Sequence, residues 1–379
     1  MSSSQTYSPF RSVLLREWRR MTSRRLYLCV CIILPLFTLF FMATIFGNGQ
    51  MENIPIGIVD QDNTASSRAI ARNISAVPTF KVTRHFVNEE AARKAVQKKE
   101  IYGYLSIPPK FEQDAISGKN ATLSYYYHYA LLSVGGELMA AFETSLAPVS
   151  LSPIVMQAVA LGVEQDKITT FLLPVQASNH PIYNPSLDYS VYLSQPFFFV
   201  LFQVLILLIT VYAVGIEIKF RTADEWLFVA KGNMVTAVLG KLLPYTIIFI
   251  LIGWLANYVM FGILHIPFQG SWLLMNMLTA LFVVATQALG LFLFSLFPAI
   301  SLIISIVSMV GSLGATLSGV TFPVTNMYPL VRDASYLFPV RHFTEMMQNM
   351  LYGGSGFIYL WPSVVILCIF PLLAFVLLP

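Results

Sequence analysis

IEIKFRTADEWLFVAKGN, residues 216–233, is a short polar island between two long apolar runs, 191–215 and 242–264. Each flank is as long as the ~20 apolar residues a helix needs to cross the hydrocarbon core, so the island reads as the connection between two transmembrane helices. Four further runs, at 26–46, 272–297, 300–320 and 357–378, raise the number of spans to six. The whole composition agrees. Of 379 residues, 56% are hydrophobic and 11% are charged, against about 25% charged in ordinary globular domains.

Working outward from the island, charge sets the orientation. Arg11, Arg16, Arg19, Arg20, Arg24 and Arg25 all precede the first span, and Lys219, Arg221, Lys231 and Lys241 lie in or beside the island. With the N-terminus cytoplasmic, six crossings put both groups on the same, inner side, as the positive-inside rule asks. The net charge of +4 is therefore topological in origin, and nothing in it marks a nucleic-acid surface. Residues 10–21 place Phe10, Val13, Leu14, Trp18 and Met21 at near-helical spacing with Arg16 and Arg19 among the basic residues on the remaining surface. That pattern reads as an amphipathic helix lying on the inner membrane surface, the alternative being a basic tail that only fixes orientation. The run at 26–46 exceeds the ~7–15 residues of a signal-peptide core and has no small-x-small cleavage site after it, so it is expected to be retained as a span.

Residues 48–190 have the composition of a water-soluble domain. IPIGIVD (54–60), TFKVTRHF (79–86), IYGYLSI (101–107) and ATLSYYYHY (121–129) read as strands separated by helices at 64–75, after Asn88, and after Pro108-Pro109. Asn88 is a cap, followed by Glu89 and Glu90 in the first turn and Lys98 and Lys99 at the end, which complements the helix dipole. A helical stretch at 131–166 and an extended one at 171–183 complete the insertion. The expected fold is a membrane α-helical protein with six transmembrane helices and an inserted extracytoplasmic α/β domain. Its parts are a cytoplasmic interface helix (1–25), the first span (26–47), the inserted domain (48–190) and the remaining five spans (191–379).

Several chemistries are excluded or unsupported. No Asp, Glu, Lys or Arg falls within the six apolar runs, which argues against an internal proton or ion motor. No G-x-x-x-x-G-K-[ST] occurs, Gly240-Lys241-Leu242 being the nearest string, so ATP chemistry is not expected in this chain. A calcium loop opening at Asp60 fails because its twelfth position is Ala71. The histidines at 85, 128, 180, 265 and 342 lack metal-ligand spacing, and no metal site is expected. Cys29, Cys31 and Cys368 all lie in apolar runs, so the inserted domain must fold without disulfides.

Two segments carry finer signals. In the fifth span Gly311, Ala315 and Gly319 recur at i, i+4, i+8, with Gly314 and Ser318 beside them, a small-residue face that permits close helix approach. It suits a subunit interface or a substrate path, and ordinary packing within the chain at least as well. Residues 321–356 are broken by Pro323, Pro329 and Pro339, and carry an apolar stripe of Phe343, Met346, Met347, Met350 and Leu351, which fits short re-entrant helices in the outer leaflet.

The order of these parts resembles the membrane subunit of a type-2 ABC exporter, in the branch with a large external domain between the first two spans. The resemblance covers nearly the whole chain. EIKFRTADEW (217–226) is similar to the family's E-x-x-x-[GR]-T-x-[ED]-x-L cytoplasmic segment, and SGVTFPVTNMYP (318–329) to its outer re-entrant signature. Trp226-Leu227 stands where the family often has Leu-Leu, and Arg221 where it often has Gly. The resemblance implies a permease that pairs with a second permease, identical or homologous, and with two cytoplasmic ATPase subunits that hold the ATP and Mg. Glu217, Arg221, Thr222, Glu225 and Trp226 would form the coupling helix that docks on the ATPase. A periplasmic adaptor is a further partner the family allows. The expected activity is ATP-driven export of a hydrophobic or amphipathic substrate (drug, lipid or lipid-linked molecule) across a bacterial inner membrane, with no enzyme activity of its own. The alternative is a membrane-anchored extracytoplasmic binding or assembly protein whose spans only hold it.

Overall fold

The computed structural model describes residues 8–45, 49, 51–117, 119, 121–160, 184, 188, 190–353 and 357–376, with backbone alone at 132, 148–160, 352 and 353. These separate into a membrane unit, Met1–Gly49 with Pro181–Pro379, and an inserted unit, Gln50–His180. The extended stretch expected at 171–183 lies outside the described residues.

The membrane unit opens with α1 (Pro9–Ser23), capped by Ser8, whose side chain accepts from Arg11 N, and started by Pro9 where an N–H is not needed. Among the described residues, six helices are long and apolar enough to cross a membrane: α2 (Arg25–Ile45), α7 (Ser190–Lys219), α9 (Met234–Ile263), α10 (Trp272–Leu296), α11 (Ile300–Leu317) and α14 (Phe357–Val376). Between them lie α8 (Ala223–Val229), α12 (Pro329–Ser335) and α13 (Pro339–Gly353).

The central helix is α7, because its aromatic side chains reach three neighbours at once. Phe199 packs on Phe282 of α10 and on Phe343 of α13, and Phe202 packs edge-on against Phe249 of α9, with centroids 5.9, 4.5 and 5.6 Å apart. Amide glue adds direction to this apolar packing. Gln195 donates to Asn257, which donates in turn to Asn276 and Thr279, at 3.1, 3.0 and 3.0 Å. Each such interhelical bond contributes on the order of 0.6–2 kcal/mol in a membrane setting.

The apolar stripe expected in 321–356 is present and buried. Phe343, Met346, Met347, Met350 and Leu351 of α13 join the main core. The first turn of α13 has its Val340 N–H bound by the side chain of Gln203 from α7 at 2.8 Å. A helix start enclosed by protein needs such a partner, since its first amides have none within the helix. Pro323 and Pro329 are both exposed, Pro329 at the first position of α12.

The small-residue face of α11 is occupied from within the same chain. A Cβ on Gly311 would stand 2.6 Å from Val204 of α7, and one on Gly314 would stand 2.8 Å from the Gln203 amide nitrogen and 3.2 Å from Phe338. Ser318 is buried, Ala315 half-buried, and Gly319 ends the helix with φ +86, a conformation that disfavours side chains. Gly311→Val is therefore expected to destabilise the protein by about 1–3 kcal/mol, the usual cost of overpacking. A thermal midpoint in detergent equal to the parent's would refute this placement.

In the inserted unit, β1 (Ile54–Asp60) lies between β2 (Phe80–Phe86) and β3 (Gly103–Ile107), parallel to both, and β4 (Ser124–Tyr127) closes the sheet antiparallel to β3. The strand period of two sorts the core. Ile54, Ile56, Leu105 and Ile107 meet Ile70 and Ile74 of α3 (Ala65–Ser75), Phe111 of α5 (Phe111–Ile116), and Leu138 and Phe142 of α6 (Leu132–Ala160) on one face. Val59 and Tyr104 meet Ala92 and Ala95 of α4 (Glu89–Gln97) on the other. Asn88 caps α4 as expected, accepting from Ala91 N at 2.9 Å. Gly57 is required by close approach, because a Cβ there would stand 2.5 Å from the Phe86 ring.

Candidate coupling site

The polar island is shorter than the sequence suggests, and the difference creates a site. Helix α7 continues through Glu217 to Lys219, and α9 begins at Met234, so Glu217 and Lys241 fall inside the two helices that the island connects. Both are fully buried. The apolar runs themselves hold no charge, but the helices that extend beyond them bury these two. An apolar run ends at its first charged residue, whereas a helix continues for as long as its backbone bonds and its neighbours allow.

Those neighbours come from α1. Val13, Glu17 and Met21 sit at i, i+4, i+8 on its buried face. Gly240 of α9 lets this face approach, since a Cβ there would stand 3.1 Å from Val13. Glu17, buried between two apolar side chains, receives Lys241 Nζ at 2.5 Å and the Tyr245 hydroxyl at 2.6 Å. Lys241 also donates to Glu217 at 2.7 Å. Arg16 grips Glu217 with both terminal nitrogens, at 2.9 and 3.3 Å, and Arg20 and the Thr222 hydroxyl donate to the same carboxylate. Three cations thus surround two buried carboxylates, with Glu225 at the rim, 3.7 Å from Arg16 Nε. Burial works against the charge on Arg20, but the Glu217 carboxylate outweighs it and holds the guanidinium above its ordinary value. The cluster ties α1, α7 and α9 together at one end of the bundle.

Helix α8 hangs from this cluster. Arg221, in the left-handed region at φ 56, turns the chain out of α7, and Thr222 N–H bonds back to the Glu217 carbonyl at 2.9 Å. Trp226 is buried beneath α8, its indole N–H bonded to the Ala237 carbonyl at 3.2 Å and its ring facing Lys241 Nζ at 5.3 Å. The outer face shows Asp224, Glu225 and Phe228, the last 83% exposed.

The predicted coupling residues therefore divide. Arg221 and Glu225 are at the surface, Thr222 is half-buried, and Glu217 and Trp226 are enclosed, so their side chains do not present themselves for docking. Of the interface-helix residues, Arg16 joins the cluster while Trp18 and Arg19 are exposed. Glu17, Tyr245 and Phe228 are not among the residues named from sequence, and Arg20 and Lys241 enter there only as topological charge. Only Glu17 left a signal there, as a carboxylate four residues from both Val13 and Met21 on the buried stripe. Among the described residues no group of three or more His, Cys, Asp or Glu side chains could hold a metal ion.

Comparison with known proteins agrees with this architecture. The model of the ABC-2 family transporter protein matches residues 25–378. The chain is 21% identical over 367 residues to the inner membrane transport permease YhhJ of Escherichia coli K12, covering 92% of this chain and 90% of that one. It is likewise 21% identical over 352 residues to the "probable multidrug ABC transporter permease" YbhS of the same strain, covering 91% and 89%. With six candidate spans, an inserted α/β domain, and a family match that runs through both, this chain is a member of the ABC-2 transporter family and a membrane permease subunit.

Proposed function

We propose that this permease is the membrane half of an ATP-driven exporter, and that the exposed face of α8 receives the motion of a cytoplasmic ABC ATPase. The observation that carries the proposal is the buried ion cluster. A helix that displays Asp224, Glu225 and Phe228 outward is fastened at its start to Glu217, and through Glu217 to α1 and α9. A push on α8 then moves the ends of two spans together with α1, because separating the buried charges costs several kcal/mol. ATP and Mg belong to the ATPase, and a second permease, identical or homologous, completes the membrane channel. The N-terminus and α8 lie on the cytoplasmic side of a bacterial inner membrane, supported by the basic residues of α1 and the island. The substrate is hydrophobic or amphipathic, a drug, lipid or lipid-linked molecule. The drug class is supported by the name of the relative YbhS, a "probable multidrug ABC transporter permease". The reading as a membrane-anchored binding or assembly protein is not favoured by the family match across the spans.

The test is transport of an amphipathic dye in proteoliposomes containing the permease and its cognate ATPase. Dye movement should require ATP and disappear with an ATPase lacking its Walker lysine. Transport unaffected by that ATPase variant overturns the proposal.

A further inference from the structure

The inserted domain holds a cleft of about 800 Å³ that none of the coupling chemistry uses. It opens beyond the carboxyl ends of β1 and β2, lined by Asp60, Asn63, Arg68, Arg72, His85 and Phe86 among others. The chain leaves β1 toward α3 on one face of the sheet and leaves β2 toward α4 on the opposite face. The switch point of a sheet ordered β2-β1-β3 lies between β1 and β3, so this cleft is a separate crevice toward the β2 edge, walled by the ends of β1 and β2 and by the side of α3.

The chemistry of the crevice is cationic. Its one carboxylate, Asp60, is already occupied: one oxygen accepts from the amides of Asp62 and Asn63 at 3.0 Å each, and the other from the Ser67 hydroxyl at 2.7 Å. The start of α3 is likewise capped, Ser67 N bonding Thr64 and Ser66 N bonding Glu112. What remains for a ligand is side-chain donors. Arg68 and Arg72 stand one helical turn apart on the same face of α3. Arg68 is braced by one bond from Nη1 to the Asn63 carbonyl at 2.8 Å, which leaves its other donors available. Among the described residues Arg72 makes no ion pair or side-chain hydrogen bond, and neither does the His85 imidazole across the cleft. Phe86, held against Gly57, supplies an aromatic surface beside these donors.

We infer that this crevice is a binding site for an organic phosphate monoester. Two guanidiniums and an imidazole match the three terminal oxygens of such a group better than the two of a carboxylate, and guanidinium forks suit phosphate geometry. The aromatic surface favours an apolar substituent on the ester. The same chemistry is offered by a free phosphate ester and by the headgroup of a phosphatidic-acid-type lipid.

The test uses the full chain in nanodiscs of phosphatidylcholine, titrated calorimetrically with phenyl phosphate and, separately, with dihexanoylphosphatidic acid. Saturable binding of either ligand is expected, weakened about tenfold in Arg72→Gln and about a hundredfold in Arg68→Gln with Arg72→Gln, at roughly one decade per charge-assisted contact. The tighter of the two ligands names the source. Both arginines are exposed, so the variants should keep the parent's thermal midpoint. Arg84→Gln, outside the cleft and paired with Glu100, should bind like the parent. Absence of saturable binding with both ligands, binding unchanged in the double variant, or an equal loss in Arg84→Gln would each overturn the inference.

Discussion

Glu217→Gln should lose about 3–5 kcal/mol of stability and abolish coupled transport, the largest effect expected of any single substitution in this chain. The side chain is fully buried and receives Arg16, Arg20, Lys241 and Thr222. Neutralising it leaves the buried Lys241 and the part-exposed Arg20 to share Glu17, and Arg16 with only the rim carboxylate of Glu225. The amide can still accept, so shape is kept while charge balance is lost. If charge is the cause, removing one cation should relieve part of the damage. Glu217→Gln combined with Lys241→Met is therefore expected to cost less than the sum of the two single variants, by on the order of 0.5–3 kcal/mol. Thermal unfolding of all four proteins in one detergent reads this coupling, and strictly additive losses would show that Glu217 and Lys241 do not act as a unit.

The second large effect is expected at a residue that contributes nothing to the fold. Phe228→Ala should weaken association with the ATPase about thirtyfold or more, corresponding to ~2 kcal/mol for an aromatic anchor at an interface centre. The side chain is 83% exposed, so the thermal midpoint should not move. Glu225→Lys, on the same face, should abolish association and transport while leaving expression intact. Trp226→Ala, on the opposite face of α8, should behave differently: its indole is packed and bonded to the Ala237 carbonyl, so stability falls together with activity. Co-purification of the ATPase with each variant separates these cases. Retention by Phe228→Ala and Glu225→Lys at the parent's level would remove α8 as the docking helix.

Much of this molecule can be read from residue patterns because membranes and strands impose strong ones. The six apolar runs became six long helices, Asn88 became the cap of α4, and the period of two in IPIGIVD placed Ile54 and Ile56 on one face and Val59 on the other. The ends of elements were less legible. The run at 191–215 stops where polarity begins, but α7 continues to Lys219, and that last turn carries the residue on which the site is centred.

What the sequence determined by itself was the membrane architecture and the inserted α/β domain, since these depend on local hydrophobicity and alternation. Only the tertiary structure decided that Glu17 and Lys241, 224 positions apart, are partners, that Gly311 and Gly314 face α7 and α13 of the same chain, and that Glu217 and Trp226 point inward while Phe228 points out. The reason is physical. A charged side chain written in sequence has the same hydropathy whether it faces water or a buried counter-charge, and only the packing of α1 against α9 supplies the partner that makes burial of the charge affordable.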